Sequence, residues 1–539
     1  MILLLLACAT PTESPPAAAS IFVPLDNARL ARRLSIDLRA KLPTDAELAR
    51  AAEPGGLAEL QETWLADPGL EEHLADLFAE EWVLRLDTLR IEPSEFALSD
   101  AEAYAFTRSF EDEPARLIAH VIANDRPFTE IVTADYTLAN DLLLDLIPLE
   151  AEDPEDTATW KVARYTDGRP ANGILATSGM WLRFHTTIFN YNRGRAAALS
   201  RLLLCNDIAG RPVVFQGVSD ESTEGLQAAI TTDPGCISCH ASLDPLAATL
   251  FGFWPYEDMD GTELTTYHPE REMLATRLLG TEPAWFGTPV TAAAQLGPLV
   301  AADPRFPVCM ARRATERWYG RPTTTADDAH VYALAGVLTS AWSYKDLIRA
   351  IVATEEYRAG ALTDAATDAQ RSAHPVARVL TPNTLADLVE DATGFRWRFQ
   401  GAEQVDEDLT GYRALLGGAD GESARQPWLE PSVGRSLAIG RLAQAAAARV
   451  VDQDLTLVAA DRRLLFRNGV EPLELVAGTA AFEAECQALH RRLHGVEASA
   501  EELAAETALF TEVEALVGSE EAWASLVSIM IRDPLFWTY

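Results

Sequence analysis

Basic residues are in short supply in this 539-residue chain: 44 lysines and arginines stand against 81 aspartates and glutamates, for a formal charge of -37. That balance repels nucleic-acid phosphates and anionic membrane surfaces alike, which disfavours a DNA- or RNA-binding role. The excess carboxylates serve either solubility and solvated helix faces or an acidic docking surface for a basic redox partner, and composition does not separate the two. Long apolar runs are missing as well. Beyond the first eight residues no stretch is long and apolar enough to span a bilayer. No nucleophile elbow, Walker A loop, H-E-x-x-H or dinucleotide fingerprint occurs, so none of those enzyme chemistries is signalled. Strand-like alternation is scarce, and the helical punctuation has no fixed period that would indicate a solenoid. The expectation is an all-α, multi-unit helical protein; 48% hydrophobic residues suffice for a core in each unit.

Cysteine is rare too, with six in the chain, and the rarity gives one pair its meaning. Cys236-Ile237-Ser238-Cys239-His240 places two thiols three positions apart and an imidazole directly after them. Two such thiols on the first turn of a helix can add across both vinyl groups of one haem, leaving the imidazole against the iron. An accidental match is expected in on the order of one chain in a thousand. A thioredoxin-like pair would need a strand just before it, whereas Ile230 to Gly235 reads as a loop. Half of a zinc site would need a second Cys or His pair with zinc spacing, and the chain has none. The reading is one covalent haem c, with His240 as proximal ligand.

The sixth iron ligand is less determined by spacing. Met273 is the first candidate, Met259 and His268 follow, and His185 could arrive through the fold; an open sixth position is a further alternative. Glu257, Asp258, Asp260 and Glu263 lie in the same irregular stretch, Trp254 to Pro289, but lack the D-x-D-x-D-G order of a calcium loop and read as a solvated acidic loop. Ala241 to Phe253 is aliphatic and aromatic, as suits either a porphyrin wall or ordinary core.

The N-terminus carries an address. Met1 to Cys8 is a short apolar run ending Leu-Leu-Ala-Cys, which resembles a bacterial lipoprotein cleavage box although the basic n-region is lacking. Cys8 is then the lipidated residue, membrane contact is through the lipid alone, and the expected location is the bacterial periplasm or cell surface, as an outer-membrane lipoprotein. Export agrees with haem attachment outside the inner membrane and with an oxidising compartment, where Cys205 and Cys309 are either a disulfide tying helices around the haem segment or two buried thiols. Cys486 is the odd one out and is expected to be buried. The organisation follows: 1–20 signal and tether, 21–150 an N-terminal helical domain, 151–290 the haem-attachment domain, 291–370 a helical domain packing on it, and 371–539 a C-terminal helical domain. Asp67-Pro68, Asp303-Pro304 and Asp533-Pro534 mark helix junctions, and the acidic stretch from Glu150 to Arg169 reads as a boundary or exposed loop.

Several stretches together resemble the planctomycete-type cytochrome c multidomain proteins, an exported bacterial family built of domains of unknown function. They are Arg32-Arg33-Leu34-Ser35-Ile36-Asp37-Leu38 with Leu42-Pro43-Thr44; Arg126-Pro127-Phe128-Thr129-Glu130 with Thr133 to Thr137; Gly173-Ile174-Leu175 with Asn192-Arg193-Gly194-Arg195; and Cys236 to His240 with Asp244-Pro245. The resemblance implies thioether anchors at Cys236 and Cys239, His240 on the iron, and Asp244 and Pro245 shaping the turn beside it and orienting His240. Arg39-Ala40-Lys41 and Ala247 depart from the family pattern without touching the ligands. The resulting expectation is an electron-transfer protein that exchanges electrons with another redox protein. The alternatives are a cell-surface helical scaffold, in which the C-x-x-C-H is structural or binds a metal, and a peroxidase-like haem site.

Overall fold

The computed structural model describes residues 20–86, 91–212, 223–255, 265–407, 411–419, 427, 430, 432–459 and 463–539. The Cys8 lipidation box lies outside them. The fold is predominantly α-helical, as the sequence predicts, and among the described residues no helix is long and apolar enough to cross a membrane.

Local sequence sets the helix starts. Thr44 accepts the Glu47 amide at 3.2 Å while Glu47 reaches back to the Thr44 amide at 2.8 Å, and Ser99 and Glu102 repeat this box at the start of the Asp100–Ala123 helix. The Asp-Pro steps work by one mechanism. Asp67, Asp303 and Asp533 each accept the amide two residues on, at 2.7, 2.9 and 2.8 Å. Each carboxylate satisfies an orphan donor where proline, lacking an N–H, needs none.

Two large apolar cores result. The first runs from Leu30 to Tyr357, so residues from the segments 21–150, 151–290 and 291–370 share it. The second gathers residues from Leu380 to Trp537 and also takes Ile36 and Leu42 from the beginning of the chain. The Asn27–Arg39 helix therefore lies between the two, with Leu30, Leu34 and Leu38 in one core and Ile36 in the other. Its polar residues Arg32, Arg33, Ser35 and Asp37 are buried as well. Arg33 donates to the carbonyls of Tyr357, Ala359 and Val376 at 2.6, 2.8 and 3.0 Å. Asp37 accepts from the hydroxyls of Tyr357, at 2.7 Å, and Tyr539, and from Arg378 at 3.3 Å.

Short strands appear where the sequence suggested loops. Lys161–Tyr165 is the centre of a three-stranded antiparallel sheet between Thr137–Ala139 and Leu149–Ala151, inside the stretch read as a boundary. Ala359–Leu362 pairs antiparallel with Phe22–Pro24, inside the segment read as a helical domain. Strands of three to five residues are too brief to show alternation, so only their partners reveal them.

A buried ionic network joins the two cores. Arg85 meets Asp76, Asp112 and Asp406 at 2.6, 2.7 and 3.3 Å, and Arg108 adds Asp406 and Glu111, both at 3.1 Å. Burial pushes Glu80, Glu111 and Glu403 around it up to about 7. These acids hold protons in the folded state that the unfolded chain has released, so their contribution is full below pH ~4.5 and is lost as pH rises through 7. Buried His73 acts in the opposite sense: burial lowers it to about 4, and its contribution is lost as pH falls below ~6.5. Glu80→Gln isolates one acid. It is expected to stabilise the protein by about 2 kcal/mol at pH 8 and by nearly nothing at pH 4, as measured by denaturant titration at both pH values.

Candidate functional site

Cys236, Cys239 and His240 sit in the first half of the Pro234–Ala248 helix. Asp233 starts it by accepting the Gly235 and Cys236 amides at 2.8 and 3.2 Å, the same Asp-Pro device as at the other junctions. The preceding residues are not the loop the sequence suggested: a helix, Thr223–Thr232, runs almost to Asp233. A thioredoxin-like site lacks its strand here too. Spacing of three and four places Cys236, Cys239, His240 and Leu243 on one face. All four are partly buried, while Ile237, Ser238 and Ala241 between them are exposed. The second half of the helix anchors the first, because Leu246 and Ala247 enter the main core and Ala248 packs with Phe251, Trp254 and Ala275.

Both motif thiols are free. Burial, and then the Asp233 carboxylate, raise the Cys236 thiol above its ordinary value, the opposite of the activation an attacking redox cysteine needs. The His240 imidazole is fixed. Its Nδ1 lies 2.8 Å from Asp244 Oδ1, and since a carboxylate only accepts, Nδ1 carries the proton. Nε2 has no protein partner among the described residues. Asp244 in turn receives Nε and Nη2 of Arg193 at 2.7 and 3.0 Å. Its burial alone would raise its pKa, but the hydrogen bonds from His240 and Arg193 overcome this and hold it below the usual carboxylate range.

Arg193 opens the Arg193–Leu204 helix, which packs along the motif helix. At the other end of that helix Cys205 is joined to Cys309 by a disulfide, with Cα atoms 5.3 Å apart and 104 positions between them in sequence. Arg313 caps the same end through the carbonyls of Leu202 and Arg201 at 3.1 and 3.0 Å. Cys486 is fully buried, which pushes its thiol well up.

The distal candidates are dispersed. Met259 and the acidic residues Glu257, Asp258, Asp260 and Glu263 lie outside the described residues. Met273 precedes the Leu274–Leu279 helix, which packs against the motif helix, and its side chain is 78% exposed. His268 is half-buried with Nδ1 3.4 Å from Glu270. His185 stands in the loop ahead of Arg193 with much of its surface exposed, and partial desolvation of its ring, then Arg195 and Arg183, lower its pKa. Among the described residues no three His, Cys, Asp or Glu side chains are grouped to hold a metal ion.

Arg193 and the Asp233 cap were not identified from sequence. Asp233-Pro234 repeats the junction signal read elsewhere, so the cap was within reach; Arg193 stood in a stretch quoted for the resemblance but had no role assigned, because its partner is 51 positions away.

Fold and site together define a predominantly helical protein that presents a free Cys-x-x-Cys-His triplet on a helix anchored in its main core. Residues 25–146 match the family described as PSD4, a protein of unknown function (DUF1592), which is found in planctomycete cytochrome c-like multidomain proteins. The match includes Arg32 to Leu38 and Arg126 to Thr137 and ends before the Cys-x-x-Cys-His helix. No curated protein and no solved structure matches the chain.

Proposed function

We propose that this is an exported, lipid-anchored c-type cytochrome that carries one covalent haem c on Cys236 and Cys239 and exchanges electrons with another, basic redox protein. The observation that carries the reading is the shared helix face of two free thiols and an imidazole whose Nδ1 is already engaged. The donor set fits the group: two thiols three positions apart for the vinyl carbons, and an unengaged Nε2 for the iron. When bound, haem supplies a reversible one-electron change. The chain's residues do the rest: Asp244 holds the imidazole, Leu246 and Ala247 root the helix in the core, and the carboxylate-rich surface attracts a cationic partner. The Cys205–Cys309 bridge suits an oxidising compartment, and the Leu-Leu-Ala-Cys box ending at Cys8 supports the anchor.

Protein made with the c-type maturation machinery is expected to give a pyridine haemochrome band that survives acid-acetone extraction. Cys236→Ala combined with Cys239→Ala is expected to abolish that band while leaving the far-ultraviolet spectrum intact, because both side chains lie at the surface end of the helix. A wild-type protein without the band would overturn the proposal.

A further inference from the structure

The segment Asn192-Arg193-Gly194-Arg195 makes three separate attachments to the Cys-x-x-Cys-His helix and the turn that follows it. Asn192, fully buried, donates through Nδ2 to the Leu250 carbonyl at 3.0 Å. Arg195, also fully buried, donates to the Phe253 carbonyl at 2.6 Å and, on its own side, to the carbonyls of Phe184 and Trp181, both at 2.9 Å. Arg193 takes Asp244 with two donors. One four-residue segment therefore fixes the motif helix at Asp244 and the following turn at two further points.

The backbone is strained at the same place. Tyr191 and Asn192 have φ of 53° and 64°, two successive non-glycine residues in the left-handed region, an arrangement that costs free energy and persists only where the surroundings over-determine it. Here they do. The Asn192 amide donates to the Thr186 hydroxyl at 3.0 Å, and its side-chain oxygen accepts from Arg195 at 3.1 Å. A left-handed pair immediately before a helix turns the chain sharply, so that the first helical residue, Arg193, meets Asp244.

We infer that Arg193 is a positioning residue for the haem iron: by clamping Asp244 it fixes the rotamer and tautomer of His240, so that Nε2 is presented to the iron and the imidazole is made electron-rich by a full carboxylate. The inference rests on the cytochrome reading for its redox consequence, but not for the geometry. A bidentate guanidinium–carboxylate pair defines the carboxylate plane as well as its position. With that plane fixed, Oδ1 accepts both Arg193 Nε and His240 Nδ1, and the ring is left one orientation. A carboxylate behind a ligating histidine raises its basicity and favours the oxidised metal, so a haem held on His240 would sit at a lower potential than one whose histidine donates to a neutral acceptor. A lysine at 193 would supply charge without the fork.

The test has two arms. In haem-free protein, 15N-edited NMR of His240 is expected to show the Nδ1–H tautomer. Arg193→Gln is expected to give a mixture of tautomers, and Arg193→Lys to recover the wild-type pattern only in part. In haem-loaded protein, Asp244→Asn, nearly isosteric, is expected to raise the midpoint potential, read on the haem-loaded fraction alone. A wild-type tautomer pattern in Arg193→Gln, or an unchanged potential in Asp244→Asn, would overturn the inference while leaving the cytochrome intact. If no haem attaches to the wild type, the cytochrome reading falls and the NMR arm alone decides the role of Arg193. Should Arg193→Gln fail to fold, Arg193→Lys and Asp244→Asn carry the two arms.

Discussion

Asp37→Ala is expected to cost on the order of 3–5 kcal/mol, the range for breaking a buried charged pair by removing one partner. The carboxylate is 8% exposed and takes hydrogen bonds from Tyr357, Tyr539 and Arg378. Its burial raises its pKa, and Arg378 and the two tyrosine hydroxyls work against that. Alanine leaves the Arg378 guanidinium short of an acceptor and the two hydroxyls without theirs, in a place water does not reach. Asp37→Asn retains one acceptor oxygen and is expected to lose about half as much. Because the residue lies between the two cores, the loss should also reduce their cooperativity: denaturant unfolding followed by fluorescence and by circular dichroism should give separated midpoints in Asp37→Ala and coincident ones in the wild type.

The second large effect is expected from Cys205→Ala with Cys309→Ala. The bridge closes a loop of 104 residues, and its removal is expected to cost about 2–4 kcal/mol, chiefly by releasing the unfolded chain. Thermal unfolding of the wild type with and without dithiothreitol provides the check: the reduced wild type should match the double variant, and the variant should not respond to reductant. The helix that loses its pin also carries Arg193. Loosening of the His240 environment should therefore accompany the fall in stability, although neither cysteine touches that histidine.

Much of the site was legible in the sequence because its chemistry is local. Two thiols and an imidazole within five residues state their spacing whatever the fold, and the Asp-Pro steps state a cap because donor and acceptor are two residues apart. Predominant helicity was legible for the same reason, through i, i+3, i+4 patterns and capping boxes. What the sequence concealed depends on distant partners. Arg33 and Asp37 could be quoted as part of a resemblance but given no role, since their partners lie more than 300 positions away. The Lys161–Tyr165 strand falls in a polar stretch and exists only because two others flank it. Arg195 stood in a stretch quoted for the resemblance with no role of its own, yet it is fully buried, and burial lowers it to about 9, a cost accepted only where it holds something in place.

The hydrogen bond from Tyr539 to Asp37 spans 502 positions. During synthesis the Asn27–Arg39 helix emerges with an arginine and an aspartate already committed to the interior, and one of its companions, Tyr539, is made 502 residues after Asp37. Until then that helix can only wait, partly paired, so this part of the fold should form slowly, and losing Tyr539 would leave Asp37 without one of its donors.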